Sequence, residues 1–153
     1  MPAAPTRALL GFIAAVTAVL TFHQGMSALL NLAGVPTVAP YGMNPVQPFG
    51  VPMLINRCIW GGMYGLVFGL VLPWLPRMPM WLLGLGVGLC SVLIGWFVVA
   101  PLKGMPVGGG FIPVRMLTTV VINGVWGIGI GLILSLLLRK AVGRADERHQ
   151  AAV

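Results

Sequence analysis

Four apolar runs, about Ala8–Leu32, Met53–Leu72, Met80–Val99 and Val114–Leu138, leave this chain one class of fold. A helix needs about 20 apolar residues to cross the hydrocarbon core of a bilayer, and each run supplies that many. Composition agrees: 58% of the 153 residues are hydrophobic and 7% are charged, where a soluble domain carries roughly a quarter charged residues. Four spans and their connections leave no stretch for a separate globular domain. The expectation is an all-α membrane protein with four transmembrane helices over 1–138, followed by a polar, disordered tail over 139–153.

The first run follows Arg7, as the apolar core of a secretory signal follows its charged start, but it is longer than the roughly 7 to 15 residues of a cleaved segment. Its best small-x-small site, Thr37-Val38-Ala39, is followed by Pro40, which hinders cleavage. It therefore reads as an uncleaved span. The loop Gly34–Pro52 carries no charge and holds Pro36, Pro40, Pro45, Pro48 and Pro52, which exclude regular helix. Pro73–Trp81 combines prolines, Arg77 and two tryptophans, as at a chain reversal among lipid headgroups. A second Pro/Gly-rich loop, Pro101–Pro113, precedes the fourth run.

With an even number of spans, the termini and the Arg77 turn share one side, with Arg7, Arg77, Arg139, Lys140, Arg144 and Arg148. The other side holds Lys103 and Arg115, with Arg57 a little inside the second span. By the positive-inside rule both termini are expected in the cytoplasm and the two long loops outside. The net charge of +7 is thus read as topology, not as a nucleic-acid footprint, since no soluble element gathers it on one face. Asp146 and Glu147 are the only carboxylates, so residues 1–145 contain none.

The two long loops align without gaps: Ala39-Pro40 with Ala100-Pro101, Pro45-Val46 with Pro106-Val107, and Val51-Pro52 with Ile112-Pro113. Trp60-Gly61 with Gly65 resembles Trp126-Gly127 with Gly131, at a five-residue shift from the loop match. Together these suggest two parallel-repeated helical hairpins, related by an axis along the membrane normal.

Gly61, Gly65 and Gly69 in the second span, Gly84 and Gly88 in the third, and Gly127 and Gly131 in the fourth recur at four-residue spacing. Such stripes let helix backbones approach closely, within the bundle or along a homodimer seam. Polar side chains gather in the outer half of the spans: His23, Gln24, Asn56, Arg57 and Asn123 form a candidate intramembrane cluster. Such groups are costly in hydrocarbon, and mark either a functional site or interhelical hydrogen bonds. Arg57 has no carboxylate within the spans to pair with. Snorkelling to lipid headgroups satisfies it, and so does an outer anion- or lipid-contacting patch with Lys103 and Arg115.

Cofactors and metals are not expected. Haem between helices takes two axial ligands, and His23 is the only histidine in the spans. Cys58 and Cys90 stand singly in apolar stretches and read as buried thiols. No nucleophile triad or phosphate loop can be assembled, so no catalytic residue is assigned and the chain is not expected to be an enzyme.

Phe22-His23-Gln24-Gly25, Trp60-Gly61-Gly62, Ala100-Pro101-Leu102-Lys103-Gly104 and Asn123-Gly124-Val125-Trp126-Gly127 resemble a family of small, uncharacterised four-helix membrane proteins of proteobacteria. The likeness covers the four spans and implies a multi-pass protein of the bacterial inner membrane. The leading functional expectation is a structural or accessory component of a membrane assembly, with the bilayer, further copies or another membrane protein as partners. The alternative is a small channel or transporter-like protein for a neutral or anionic solute, using His23, Arg57 and Asn123. A quinone- or haem-handling accessory subunit is the third reading.

Overall fold

The computed structural model describes residues 1–150 as four long helices joined by two long loops and one short turn. Helix α1 runs Ala4–Leu32, α2 Met53–Trp74 and α3 Met80–Leu102, and α4 runs Pro113–Gln150. The strands among the described residues are β1, Pro45–Val46, and β2, Val51–Pro52, an antiparallel bridge within the first loop. All four helices are long and apolar enough to cross a membrane, which gives the all-α, four-span architecture read from the apolar runs.

Two helix ends differ from the sequence expectation. Helix α1 starts at Ala4 rather than about Ala8, with proline in its first turn, where the fixed φ and missing N–H cost nothing. Helix α4 passes Leu138 and continues to Gln150, so the tail expected to be disordered is helical as far as it is described. That segment is rich in Ala, Arg, Lys, Glu and Gln, all strong helix formers. Residues 151–153 of the expected tail lie outside the described residues. At about 1.5 Å per residue, the 38 residues of α4 reach about 57 Å, nearly twice the ~30 Å hydrocarbon core, so one end stands clear of a bilayer.

Packing follows two antiparallel pairs, α1 with α2 and α3 with α4, joined by a seam between α1 and α4. Helices α2 and α3 are consecutive in the chain yet barely touch, so the order around the bundle is α2, α1, α4, α3. Glycine sets both pairs. A Cβ on Gly65 would overlap the Gly11 carbonyl oxygen, and one on Gly69 the Arg7 carbonyl. In the second pair a Cβ on Gly127 would overlap the Gly84 carbonyl oxygen, and one on Gly131 that of Met80. Gly61 lies against Val19 and the Trp126 ring, and Gly88 against the Asn123 carbonyl. Lipid gives no hydrophobic drive for helix association, so this close backbone approach carries the packing.

These contacts correct the alignment of the two halves. Gly65 against Gly11 corresponds to Gly127 against Gly84, and Gly69 against Arg7 to Gly131 against Met80. Gly65 therefore matches Gly127, one helical turn from the pairing that the two Trp-Gly steps suggest. The tryptophans are not equivalent, because Trp60 is 61% exposed on the outside of α2 whereas Trp126 is 3% exposed in the core. In the packing register Trp126 corresponds to Tyr64, and these two rings meet edge to face with centroids 6.2 Å apart. The two loops differ in local structure at the first matched step: Ala39-Pro40 lies in the loop, while Ala100-Pro101 is in the last turn of α3.

The half of the bundle nearer the short turn has a dense apolar core of Ala14, Ala15, Ala18, Phe68, Leu72, Ile130 and Leu134. Two polar side chains tie it together. The Trp126 indole N–H donates to the Ala15 carbonyl at 3.2 Å. Arg7, read from sequence only as a topology charge, donates from Nε to the Gly69 carbonyl at 3.3 Å and from a terminal nitrogen to the Pro2 carbonyl at 2.6 Å.

Candidate functional site

Toward the long loops the helices part around two adjoining cavities. The first, about 300 Å³, draws His23 from α1, Asn56, Arg57, Trp60 and Tyr64 from α2, Ser91 from α3, Asn123 and Trp126 from α4, and Lys103 from the second loop. The second, about 860 Å³, is lined by His23, Ser27, Thr37, Arg57, Arg115, Thr118, Thr119 and Asn123 among others. His23, Arg57, Gly95, Val99 and Asn123 line both, which makes them one polar recess with two lobes.

A break in helical register borders the recess on two sides. Val19–His23 in α1 and Gly95–Val99 in α3 are π-helical turns. A π turn inserts a residue and releases backbone groups from the α ladder, and such turns recur at functional sites. In α1 the Leu20 carbonyl accepts a hydrogen bond from the Tyr41 hydroxyl at 2.9 Å. The Tyr41 N–H donates to Gln24 Oε1 at 2.8 Å, with Tyr41 itself in the left-handed region at φ 54°. The first loop is thereby strapped onto α1 beside the recess.

The five side chains of the candidate cluster divide into two roles. His23, Asn56, Arg57 and Asn123 line the recess. Gln24 does not; it is fully buried and anchors the loop through Tyr41. Asn123 Nδ2 donates to the Thr119 carbonyl at 2.9 Å, and its Oδ1 lies 3.4 Å from the Ser91 oxygen, whose hydroxyl donates to the Gly88 carbonyl at 2.7 Å. His23 Nδ1 and one terminal nitrogen of Arg57 are buried with no hydrogen-bond partner, as is Gln24 Nε2, which is not in the lining of the recess.

All three cations of the proposed patch face the recess, Arg57 in both lobes, Lys103 in the first and Arg115 in the second. Residues 1–145 hold no carboxylate to neutralise them. Tyr64 and Trp126 lie deepest, and the core around Phe68, Ile130 and Leu134 fills the axis beyond them. The arrangement suits holding an anion more than passing a solute along the axis. Among the described residues no group of three His, Cys, Asp or Glu comes together as for a metal, and Cys58 and Cys90 are free thiols, Cys90 exposed rather than buried.

Sequence reading missed Tyr41, Tyr64 and Ser91. Tyr64 sits one residue from a stripe glycine, but nothing in the sequence marks the other two, whose roles depend on loop folding and helix rotation. It also gave no sign of a third hollow, an apolar cleft of about 820 Å³ along the seam between α2 and α3, lined by Met63, Val67, Val71, Leu82, Leu89 and neighbours. Trp60, Tyr64 and Ile94 line both this cleft and the first polar lobe, so the two adjoin. In comparison with known proteins, no family model, no curated protein and no solved structure matches this chain.

Proposed function

We propose that this protein binds an anionic group inside the membrane, in the recess beneath its two long loops. One observation carries the reading: Arg57, Lys103 and Arg115 converge on a single recess in a chain with no carboxylate before Asp146. A half-buried guanidinium without a partner is costly, and a carboxylate or phosphate satisfies it with two parallel hydrogen bonds. His23 Nδ1 adds a second unpartnered polar atom to the same wall. With the termini in the cytoplasm, as the distribution of basic residues favours, the recess opens to the outer face of a bacterial inner membrane. The filled core below Tyr64 and Trp126 favours a closed binding site over a pore.

A second reading, as an accessory component of a larger assembly, draws support from α4. Its end extends past the length needed to cross the bilayer and offers a partner a helical segment opposite the recess.

Binding is tested on the purified protein with two probes, inorganic phosphate and phosphatidylglycerol, read by thermal unfolding and native mass spectrometry. At 100-fold excess over its Kd a ligand stabilises the folded state by about 2.7 kcal/mol. The expected result is saturable stabilisation by at least one probe that Arg57→Gln removes. If neither probe binds in an Arg57-dependent way, the anion site is wrong.

A further inference from the structure

The recess adjoins a second hollow: Trp60, Tyr64 and Ile94 line both its first lobe and the cleft along α2 and α3. Every other residue lining that cleft is apolar or a glycine or cysteine. Its α2 wall runs from Trp60 to Val71, about 16 Å at 1.5 Å per residue. A hydrocarbon chain suits an apolar hollow of that length, and in a bilayer no water is at hand to fill it.

We infer that the anion held in the recess is the headgroup of a bilayer lipid, and that a hydrocarbon tail of the same molecule lies in the α2–α3 cleft. This rests on the anion-binding reading and specifies its ligand. The charge and the apolar surface are arranged end to end, as an anionic amphiphile requires: Arg57 and Lys103 at the head, Val67 and Leu82 along the tail. The aromatic rings of Trp60 and Tyr64 stand at the junction, where an amphipathic ring suits both environments.

Gly86 gives a clean test, because it lines the cleft and a Cβ there meets nothing within 4 Å. Gly86→Phe should fold normally, fill the cleft and leave the recess untouched. The protein is placed in nanodiscs of equal phosphatidylglycerol and phosphatidylcholine, then released, and the retained lipid is weighed by native mass spectrometry. Wild type should retain phosphatidylglycerol in preference. Both Gly86→Phe and Arg57→Gln should lower that retention by about tenfold or more, since each buried methylene of a tail contributes to affinity. Inorganic phosphate binding should survive Gly86→Phe and be lost in Arg57→Gln.

Phosphate binding that depends on Arg57, with lipid retention indifferent to headgroup or to Gly86→Phe, overturns the lipid inference and leaves the anion site standing. Loss of Arg57 dependence for both probes removes both. A dimer in wild type that Gly86→Phe converts to a monomer shows the cleft covered by a second copy, and also overturns the inference.

Discussion

Along the α1–α4 seam Ala14, Ala15 and Ala18 are wholly buried, Phe22 lies over Gly129, and the Trp126 indole reaches across to the Ala15 carbonyl. Along the α2–α3 seam Met63, Val67 and Leu89 are half exposed and line an open cleft. If the hairpins are repeats, a two-fold axis exchanges these seams, so similar halves have come to meet in two ways. Small residues and one interhelical hydrogen bond close the first. Larger apolar side chains line the second without interlocking, and apolar surroundings impose little penalty for leaving it open.

The largest expected effect contrasts two glycines of α3 that are two residues apart. Gly84→Leu drives a side chain into the Gly127 backbone and should cost about 3 kcal/mol or more. Gly86→Leu points into the cleft, meets no backbone and should be at least as stable as wild type. Equal losses in detergent unfolding for both would mean that α2 and α3 are closed on each other.

The hairpins also differ at their turn ends, where Arg7 ties α1 to the Gly69 carbonyl but Met80 holds the matching place against Gly131. Arg7→Met should destabilise by about 2 kcal/mol, the usual worth of a charge-assisted hydrogen bond. An unchanged unfolding midpoint would show that the tie does not distinguish the hairpins. For the closed seam, Trp126→Phe removes the donor to Ala15 and should cost about 1 kcal/mol. Trp60→Phe, at a largely exposed ring beside the cleft, is the matched control for folding stability and should be near neutral; similar losses for both would count against the seam hydrogen bond.

The smallest effect has the opposite sign. Gly86→Ala replaces a glycine within a helix without a new clash, and helix propensity alone should raise stability by up to about 1 kcal/mol. A fall instead would indicate that α3 is pressed against something at that point.

The spans were legible because a bilayer demands about 20 apolar residues whatever the tertiary packing. So were four polar side chains of the recess, since His23, Arg57, Asn56 and Asn123 are conspicuous in apolar helices. Helix rotation was not legible: Gln24, adjacent to His23, turns to the loop, and Trp60 and Trp126 share a Trp-Gly step yet one is largely exposed and the other buried. The π turns were hidden for a related reason, because they arise from packing between helices and leave no residue pattern of their own. The open cleft depends on how two hairpins meet, which no single helix encodes.

The open space around Gly86 also bears on how this sequence can drift. Under selection for folding alone, Gly65, Gly84, Gly127 and Gly131 have no freedom, because any side chain there meets backbone. Gly25 and Gly143 face empty space and are free to change. Gly86 is sterically as free as those two. A lineage that uses the cleft for a lipid tail should nevertheless keep a small residue there, and one that does not should replace it as readily as Gly25. Divergent descendants of this chain therefore carry, at a single position, a record of whether the cleft is occupied.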